Sequence, residues 1–575
     1  MLLSNLDLLA TAPGGVARLR ELILTLAVQG KLVPQDPADE PAGVLLQKIR
    51  AEKDRLIAEG KIKRDKPLAE IGEEEKPFGL PVGWEWVRLG AVVNASEAGW
   101  SPTCIGSPRR PGHWGVLKVS AVSWGSFDPT ANKELPSELT PKPEYEVKDG
   151  DFLLSRANTA ELVARSVVVG VAEPQLMLSD KIIRLSVSSQ MNRAFLNMVN
   201  NANYSREHYA ANASGTSSSM KNVSREVVLA LPVPLPPLAE QSRIVTRVEA
   251  LMRLCDALEA KGQLEAAQHA QLVSTLLGTL TASTTPEELA ANWQRVAQHF
   301  DLLLDRLEAI DALEQTLLQL AVRGLLVPQD PQDEPASQLL VRLRRDRATW
   351  LATRASTDSE CRATIKKLRD LPDADNPFSI PSGWQFVRLL DCCRLLVDCH
   401  NKTAPYAAAG IPIIRTSNIR DGRFRMDDLR YVTEETYDFW SRRCPPEPGD
   451  IMFTREAPMG EAAIIPPGAK YCLGQRTMLV RPMHEFIDKE YLLLALTEPH
   501  LLERAAPSAI GSTVKHLRVG DVEGLTIPLP PLAEQSRIVT RVTALRRLCA
   551  DLRQRLAERQ SVQARLAQAL VASVA

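Results

Sequence analysis

The chain has 575 residues, of which 45% are hydrophobic and 24% are charged. These proportions are typical of globular domains, and at about 100–200 residues per domain the length predicts roughly three to five of them. The 69 Lys and Arg residues nearly balance the 70 Asp and Glu residues. Overall charge therefore gives no argument for nucleic-acid binding, although phosphate contacts need only a local basic surface.

The apolar segments indicate a cytoplasmic protein without a membrane partner. The first residues, MLLSNLDLLATA, lack the basic start of a signal peptide and are interrupted by Asp7, so we predict the first turns of a helix there. No run of about 18 apolar residues occurs, which argues against a membrane span. Nine cysteines without C-x-x-C spacing indicate neither a disulfide framework nor a zinc site.

The strongest signal is an internal duplication. The segment PLPPLAEQSRIVTRV occupies residues 234–248 and recurs 294 residues later at 528–542. The same offset relates LAVQGKLVPQDPADEPA at 26–42 to LAVRGLLVPQDPQDEPA at 320–336. A further pair, PFGLPVGW and PFSIPSGW, is offset by 300 residues. Each half therefore has the order helix, Pro-rich strap, variable domain and long helix.

Long helices are predicted after both PLPPLAEQ segments, because apolar residues recur there at the three- and four-residue spacing of a coiled coil. The predicted seam contains Ile244, Val248, Leu251, Cys255 and Leu258 in the first helix, and Ile538, Val542, Leu545, Cys549, Leu552 and Leu556 in its copy. A shorter helix in each half, at 16–29 and 300–323, carries a matching apolar stripe. We expect these stripes to bury one another; the alternative is four unrelated helices that pack on their own domains.

The variable regions are predicted to form short strands and turns, because they contain β-forming runs bounded by Gly or Pro. These runs are residues 115–122, 150–156, 164–172 and 179–187 in the first region, and 410–419, 449–455, 462–466 and 475–482 in the second. The expected fold class is α/β in the mixed α+β sense. Two globular domains are separated by a long antiparallel two-helix coiled coil, with a pseudo-two-fold internal repeat.

The predicted organisation has six segments. They are residues 1–83, the N-terminal helix and strap; 84–233, the first variable domain; 234–323, the central long helices; 324–383, the second strap; 384–527, the second variable domain; and 528–575, the C-terminal long helix.

Patterns of common catalytic sites are absent from the sequence. It contains no Walker loop, dinucleotide-binding Gly pattern, H-E-x-x-H or G-x-S-x-G motif. The group Cys392, Cys393, Cys399 and His400 fits no metal-ligand spacing. We therefore assign no catalytic and no metal-binding residue and expect no enzymatic activity.

The repeated motifs resemble one family, the specificity subunits of type I restriction–modification systems. The resemblance is carried by the PLPPLAEQ-led helix, the AVQGKLVPQ strap with its copy and the GW-x-x-V-x-L domain start, over essentially the full chain. In the second variable domain PIIRTSNI, GDIMFTR and GSTVKHL are also similar to the target-recognition motifs of that family. The first domain departs from them with LKVSAV, GDFLLSR and SSSMKNV.

The resemblance implies a non-catalytic reader of a bipartite DNA target, in which each variable domain contacts one half-site. It implies double-stranded DNA, two methyltransferase subunits and two restriction subunits as partners. S-adenosylmethionine, ATP and Mg are then expected on the partner subunits, with no cofactor in this chain. A helix of about 40 residues is ~60 Å long, more than the ~34–36 Å between half-sites one DNA turn apart, so the coil is long enough to set their spacing.

Candidate DNA contacts come from aligning the two variable domains with each other. Basic or hydroxyl residues recur at matched positions beside turn-like segments, and such side chains bind phosphates and base edges. The candidates are Lys118, Ser120, Arg156, Ser219 and Lys221 in the first domain, and Arg415, Asn418, Arg455, Ser512, Thr513 and Lys515 in the second. For Arg156 and Arg455 the alternative is an ion pair with a local carboxylate. Trp84 and Trp384 are predicted to pack the strap against the domain.

Two other functions stay open at this point. One is a protein-interaction scaffold whose duplicated coil joins two ligand-binding domains unrelated to DNA; it would show no salt-dependent DNA affinity. The other is a methyltransferase or nuclease with degenerate motifs, and such an enzyme would bind S-adenosylmethionine as an isolated chain.

Overall fold

The computed structural model describes residue 9 and residues 11–64, 66–215, 220–400, 402–505 and 516–572. Its contacts divide the chain into two compact units. Unit 1 comprises residues 1–264 and 560–575, and unit 2 comprises residues 265–559. Each unit therefore holds one variable domain and parts of both long helices.

Unit 1 contains a four-stranded antiparallel sheet in the order Val93–Ala98, Ile182–Val187, Phe152–Ser155 and Ser166–Val168. A three-stranded sheet has the order Asn132–Glu134, Gly115–Leu117 and Leu176–Met177, with its last two strands parallel. Two further pairs join Glu85–Arg88 to Pro232–Leu235 and Ala157–Asn158 to Lys221–Asn222. The strands predicted in this region are confirmed, except that residues 119–122 form a 3-10 helix.

Unit 2 repeats both sheets and one of the two strand pairs. Its four-stranded sheet has the order Cys393–Asp398, Thr477–Pro482, Ile451–Thr454 and Ala462–Ile464, and its three-stranded sheet the order Arg430–Val432, Ile411–Ile414 and Cys472–Leu473. Gln385–Arg388 pairs with Thr526–Leu529 as the equivalent strands do in unit 1. The pair Ile419–Arg420 with Arg423–Phe424 is a local hairpin, and within the described residues the pair of Ala157–Asn158 with Lys221–Asn222 is replaced by a single bridge between Glu456 and His516. In each larger sheet a Gly-Asp pair precedes one inner strand, Phe152–Ser155 or Ile451–Thr454. Glycine suits this turn because Gly150 and Gly449 have φ of 76° and 97°, a conformation that favours glycine.

The helices of unit 1 are Gly15–Val28, Ala42–Ala58, Leu89–Val92, Arg193–Asn201, Asn203–Asn212 and Arg225–Leu229. Those of unit 2 are Pro286–Gln298, Phe300–Leu303, Leu307–Val322, Ala336–Arg354, Ser359–Asp370, Glu434–Ser441, Lys489–Leu496, Pro499–Ala505 and Val519–Glu523. The two long helices, Leu238–Ala282 and Leu532–Ala572, have 45 and 41 residues. Together these elements confirm a mixed α/β architecture.

The predicted seam residues lie in apolar clusters within each unit. In unit 1 the buried Ile244 and Val248 share a cluster with residues of helix Gly15–Val28, and Leu251 is half-buried against it. In unit 2 Ile538 and Val542 are buried in one cluster, and Leu545 packs on another that contains residues of helix Leu307–Val322. The short helix and the long helix of each unit therefore bury apolar residues together, as hydrophobic burial favours.

A buried hydrogen bond attaches each long helix to the first residue of its variable domain. Trp84 Nε1 donates to Glu240 Oε2 at 2.9 Å, and Trp384 Nε1 donates to Glu534 Oε2 at 2.9 Å. Burial raises the pKa of both carboxyl groups, and their position in the first helical turn suits the helix dipole. Both Trp side chains are buried in apolar clusters that hold residues of the strap and of the variable domain, which confirms the prediction that they pack the strap against the domain.

The straps contain helices that the sequence analysis did not predict. Helices Ala42–Ala58 and Ala336–Arg354 begin directly after a proline, and Asp358 caps helix Ser359–Asp370 by accepting hydrogen bonds from two backbone N–H groups. The helix predicted at 300–323 is interrupted before Leu307 because Leu304 turns into the core and Arg306 is extended.

Three features bear on other functions. No helix within the described ranges is both long and apolar enough to cross a membrane. His, Cys, Asp and Glu side chains of the same ranges form no group of three or more that could hold a metal ion. The thiols of Cys255 and Cys549 are buried, which confirms their prediction as equivalent core residues of the long helices.

Candidate nucleic-acid interface

In unit 1 the site begins at Arg156, which directly follows the central strand Phe152–Ser155. Its backbone is held on both sides: the Arg156 N–H donates to Lys181 O at 2.7 Å, and the Val223 N–H donates to Arg156 O at 3.0 Å. Its side chain is exposed, and it forms no ion pair within the part of the chain that the structure describes. Arg156 therefore has a backbone held by two hydrogen bonds and a charged side chain that is open to solvent.

Two other groups of predicted residues lie beside Arg156. Lys221 pairs across a short two-stranded sheet with Asn158, and Lys221 Nζ donates to a backbone oxygen of its own loop at 2.6 Å. Asn158 Nδ2 donates to Ser123 Oγ at 2.9 Å, which ties the turn that contains Lys118 and Ser120 to the same place. The fold therefore brings together Arg156, Lys221 and the turn of Lys118 and Ser120, which are three separate segments of the sequence.

Unit 2 builds the same backbone arrangement around Arg455, which follows strand Ile451–Thr454. The Arg455 N–H donates to Arg476 O at 3.0 Å, and the Leu517 N–H donates to Arg455 O at 3.1 Å. Because the hydrogen-bond pattern matches that of Arg156, the two arginines occupy equivalent positions, as the alignment of the domains predicts.

The Arg455 side chain differs from that of Arg156. Arg455 Nη2 lies 3.0 Å from Asp398 Oδ1, and each side chain is 13% exposed. Arg455 Nη1 also donates to Leu517 O at 3.1 Å. The alternative stated for these arginines, an ion pair with a local carboxylate, therefore holds for Arg455, whose charge is partly neutralised in this structure.

The turn after strand Ile411–Ile414 corrects one expectation. Asn418 is 1% exposed, and its Nδ2 donates to two backbone oxygens of residues 425–427 at 3.2 Å. Its side chain is therefore used inside the loop and is not open to a base edge, because a buried amide needs internal partners. Arg415 Nη2 lies 2.9 Å from Asp428 Oδ2, and this hydrogen bond lowers the pKa of the Asp428 carboxyl.

Four predicted contacts, Ser219, Ser512, Thr513 and Lys515, lie outside the described residues. The described chain resumes at Met220 and at His516, only a few residues before the backbone bonds that hold Arg156 and Arg455. Their role in DNA contact stays a prediction.

Unit 2 also has an arginine-bearing hairpin that was not predicted from the sequence. Strands Ile419–Arg420 and Arg423–Phe424 are joined by Asp421 and Gly422, which have φ of 53° and 76°. An Asp-Gly pair with two positive φ values is typical of a tight hairpin turn. The hairpin carries exposed Arg423, with exposed Arg425 just beyond it. The Asp-Gly signal between arginines was present in the sequence and was sufficient to find it.

The fold and the site define a class of protein in which one chain has two similar sets of loops. Each set lies beside its own small sheet and contains an arginine whose backbone is held by hydrogen bonds. Comparison with known proteins identifies the family. The family described as Type I restriction modification DNA specificity domain matches residues 81–268 and again residues 381–559. The chain therefore belongs to this family and contains its domain twice.

Two relatives from Escherichia coli are similar along nearly the whole chain. The type I restriction enzyme EcoAI specificity subunit is 34% identical, over 97% of this chain and 93% of the relative. The EcoEI specificity subunit is 32% identical, over 97% of this chain and 93% of the relative. As a member of this family the chain is a sequence-specific DNA-recognition subunit, and it is not the catalytic subunit of the system.

Among solved structures, the HsdS subunit from Thermoanaerobacter tengcongensis aligns with a TM-score of 0.39 and 19% identity, over 87% of this chain and 98% of that chain. At this TM-score, membership of the family rests on the sequence matches.

Proposed function

We propose that each variable domain reads one half of a split DNA sequence, residues 84–233 one half-site and residues 384–527 the other. The observation that carries this proposal is a repeated arginine, Arg156 or Arg455, whose backbone is hydrogen-bonded on both sides. It occurs with its flanking loops once in each unit, within the two regions that match a DNA specificity domain. Two similar surfaces with different loop residues suit two different half-sites, because base choice depends on the side chains in those loops.

The candidates divide by the contacts that their side chains offer. Exposed Arg156 and the half-buried Lys118 and Lys221 suit phosphate oxygens or guanine edges. In unit 2 the corresponding cations are Arg415 and Arg455, both held by carboxylates in the free protein. DNA phosphates would compete with those carboxylates, so binding in unit 2 requires an exchange of ion pairs.

The long helices would set the distance between the half-sites as an antiparallel coil. At 1.5 Å per residue, 45 and 41 residues span about 68 and 62 Å, which exceeds the ~34–36 Å of one DNA turn. Within unit 1, buried Ala567 of the second long helix shares a cluster with Cys255 of the first. Within unit 2, Cys549 shares a cluster with Val273. These pairings support an antiparallel arrangement.

The chain would act in the cytoplasm and position two methyltransferase and two restriction subunits on the DNA. S-adenosylmethionine, ATP and Mg would bind to those subunits and not to this chain. The chain would divide into six segments, with boundaries after residues 83, 233, 323, 383 and 527. The variable domains would bind DNA, and the long helices and straps would set the spacing and dock the partner subunits.

The test compares methylation in a host that carries this gene and its methyltransferase partner with a deletion of this gene alone. We expect methylated adenines in a gapped two-part motif, which disappear in the deletion strain. Methylated adenines without a gap in their motif would contradict the proposal. Purified chain bound to a duplex that carries the motif should lose affinity steeply as salt rises; salt-independent or absent DNA binding would favour the scaffold function instead.

A further inference from the structure

The two units differ in what lies against the strap helix. In unit 2 the chain continues from helix Ala336–Arg354 into helix Ser359–Asp370, which packs on it and on strand Cys393–Asp398. In unit 1 the described residues between 59 and 72 have irregular backbone. An open groove of about 1980 Å³ lies between them and helix Ala42–Ala58.

The walls of the groove show that it is the counterpart of the site filled by helix Ser359–Asp370. Ile57 lines it and is half-buried, whereas its equivalent Leu351 is 2% exposed in a cluster with Cys361 of that helix. Leu229 also lines it, and the equivalent Glu523 forms an ion pair with Lys367 of the same helix. The place that unit 2 fills with its own helix is therefore open in unit 1.

Arg88, at the end of the groove, also indicates that the groove corresponds to the position of helix Ser359–Asp370. Its equivalent Arg388 donates to Leu371 O at 2.8 Å, directly after helix Ser359–Asp370. Arg88 instead donates to Ala69 O at 3.1 Å and forms an ion pair with Glu75. The strap of unit 1 therefore supplies these acceptors from an extended segment and leaves the helix position vacant.

The charge and polarity of the groove indicate what would fill it. Nine basic and five acidic side chains line it, and apolar side chains such as Ile57 and Phe78 lie half-buried within it. Lys61 and Lys76 form ion pairs with Glu59 and Glu73. Among the described residues Arg50, Lys63, Arg64 and Lys66 form no ion pair, and they give the groove its excess of positive charge. Helix Ser359–Asp370 itself carries exposed Arg362, Lys366 and Arg369, so a helix of the same charge would be repelled here. DNA would match the cations but would leave the apolar surface uncovered.

We propose that this groove docks an amphipathic helix with an acidic side from a partner protein, in the position that residues 359–370 occupy in unit 2. An amphipathic helix that lays its apolar side into a groove is a common mode of protein recognition. Because unit 2 fills the equivalent position itself, each chain takes one such helix. The proposal does not depend on DNA reading, since the groove lies outside the loops that hold Arg156 and Arg455.

The first experiment uses the full chain and a fluorescein-labelled peptide that copies residues 355–372. In this peptide Arg362→Glu, Lys366→Glu and Arg369→Glu supply the acidic side, and Lys367→Leu matches Leu229. We expect saturable one-to-one binding by anisotropy, at least tenfold tighter than that of the peptide with native residues. Equal affinity of both peptides, or no binding, would overturn the proposal.

Variants of the chain locate the binding. The triple variant Lys63→Glu, Arg64→Glu, Lys66→Glu should weaken the acidic peptide at least tenfold and leave affinity for duplex DNA unchanged. The matched control, Arg362→Glu, Lys366→Glu, Arg369→Glu in unit 2, should leave peptide affinity unchanged. The proposal fails if the control has the same effect, or if unlabelled duplex DNA displaces the peptide and the first triple variant lowers DNA affinity, because the groove would then be a nucleic-acid site.

Discussion

Units 1 and 2 share the contacts that hold the fold. The bond between Trp84 and Glu240 recurs between Trp384 and Glu534 at the same distance of 2.9 Å. The strands of the larger sheets have the same order in both units. These buried contacts are costly to lose because an unpartnered buried polar group is destabilising. The contacts that the two units share are therefore those that hold their fold.

The two units differ in their binding loops. Arg156 is exposed and forms no ion pair with the described residues, whereas Arg455 is paired with Asp398 at 3.0 Å. The backbone around both arginines is the same. The same backbone conformation therefore holds an arginine without an ion pair to the described residues in unit 1 and an ion-paired arginine in unit 2. Such a difference suits two unlike half-sites.

The contact between short and long helices differs in another way, since its charges are reversed. In unit 1 Arg20 Nη2 lies 3.0 Å from Glu259 Oε2. In unit 2 the equivalent positions hold Glu314 and Arg553, with 2.7 Å between Oε2 and Nη2. A short helix that packed on the long helix of the other repeat would place like charges together, so these pairs favour the pairing within each repeat.

The largest effect is expected where the units are most alike. Trp84→Ala and Trp384→Ala each remove a buried ring and one of the donors to a buried carboxylate, so each should lower the free energy of unfolding by about 3–5 kcal/mol. Guanidinium denaturation followed by tryptophan fluorescence and circular dichroism measures this. The control is Trp124→Ala, because Trp124 is 71% exposed. A loss below about 1 kcal/mol in either buried position would show that the shared bond is not structural.

A charge in the seam should have the next largest effect. Leu251→Asp and Leu545→Asp place a carboxylate at a half-buried apolar position, and each should cost about 2–3 kcal/mol. Helix content and gel filtration with the methyltransferase subunits should change before DNA contact by either domain does. Leu548→Asp is the matched control, since Leu548 is 58% exposed. Native helix content and intact assembly in Leu545→Asp would show that the seam is wrongly placed.

The difference between the arginines predicts unequal effects on DNA binding. Arg156→Ala should weaken binding about tenfold and lower the salt slope by about one, because it removes an exposed cation. Arg455→Ala should weaken binding less, since Asp398 already neutralises part of its charge. Asp398→Asn should release Arg455 and raise affinity. Fluorescence anisotropy across a salt series measures all three, and unchanged binding in both arginine variants would remove them from the interface.

The smallest effect is expected at the reversed ion pair, because both of its partners are partly exposed. Arg20→Glu places a third carboxylate beside Asp256 and Glu259 and should lower the free energy of unfolding by about 0.5–1 kcal/mol. Adding Glu259→Arg should restore most of the loss, and a double-mutant cycle measures the coupling. A coupling energy indistinguishable from zero would mean that these charges do not select the pairing of the helices.

Several parts of the fold and site were accessible from the sequence. The long helices and the core strands were predicted because their apolar residues recur at the spacing of a helix or a strand. The turn positions of Arg156 and Arg455 followed from the Gly-Asp strands that precede them. The helices of the straps were missed, although the apolar spacing of Leu45, Leu46 and Ile49 after a proline is a helix signal.

By itself the sequence determined the duplication, the type of most elements and the family, because these depend on periodicity and on motifs within a few residues of one another. Only the tertiary structure decided that Asn418 is buried, that Arg455 faces Asp398 and that a groove lies open in unit 1 where unit 2 has a helix. Burial and ion pairing depend on which distant segments the fold brings together, and no local pattern around a single residue specifies its partners.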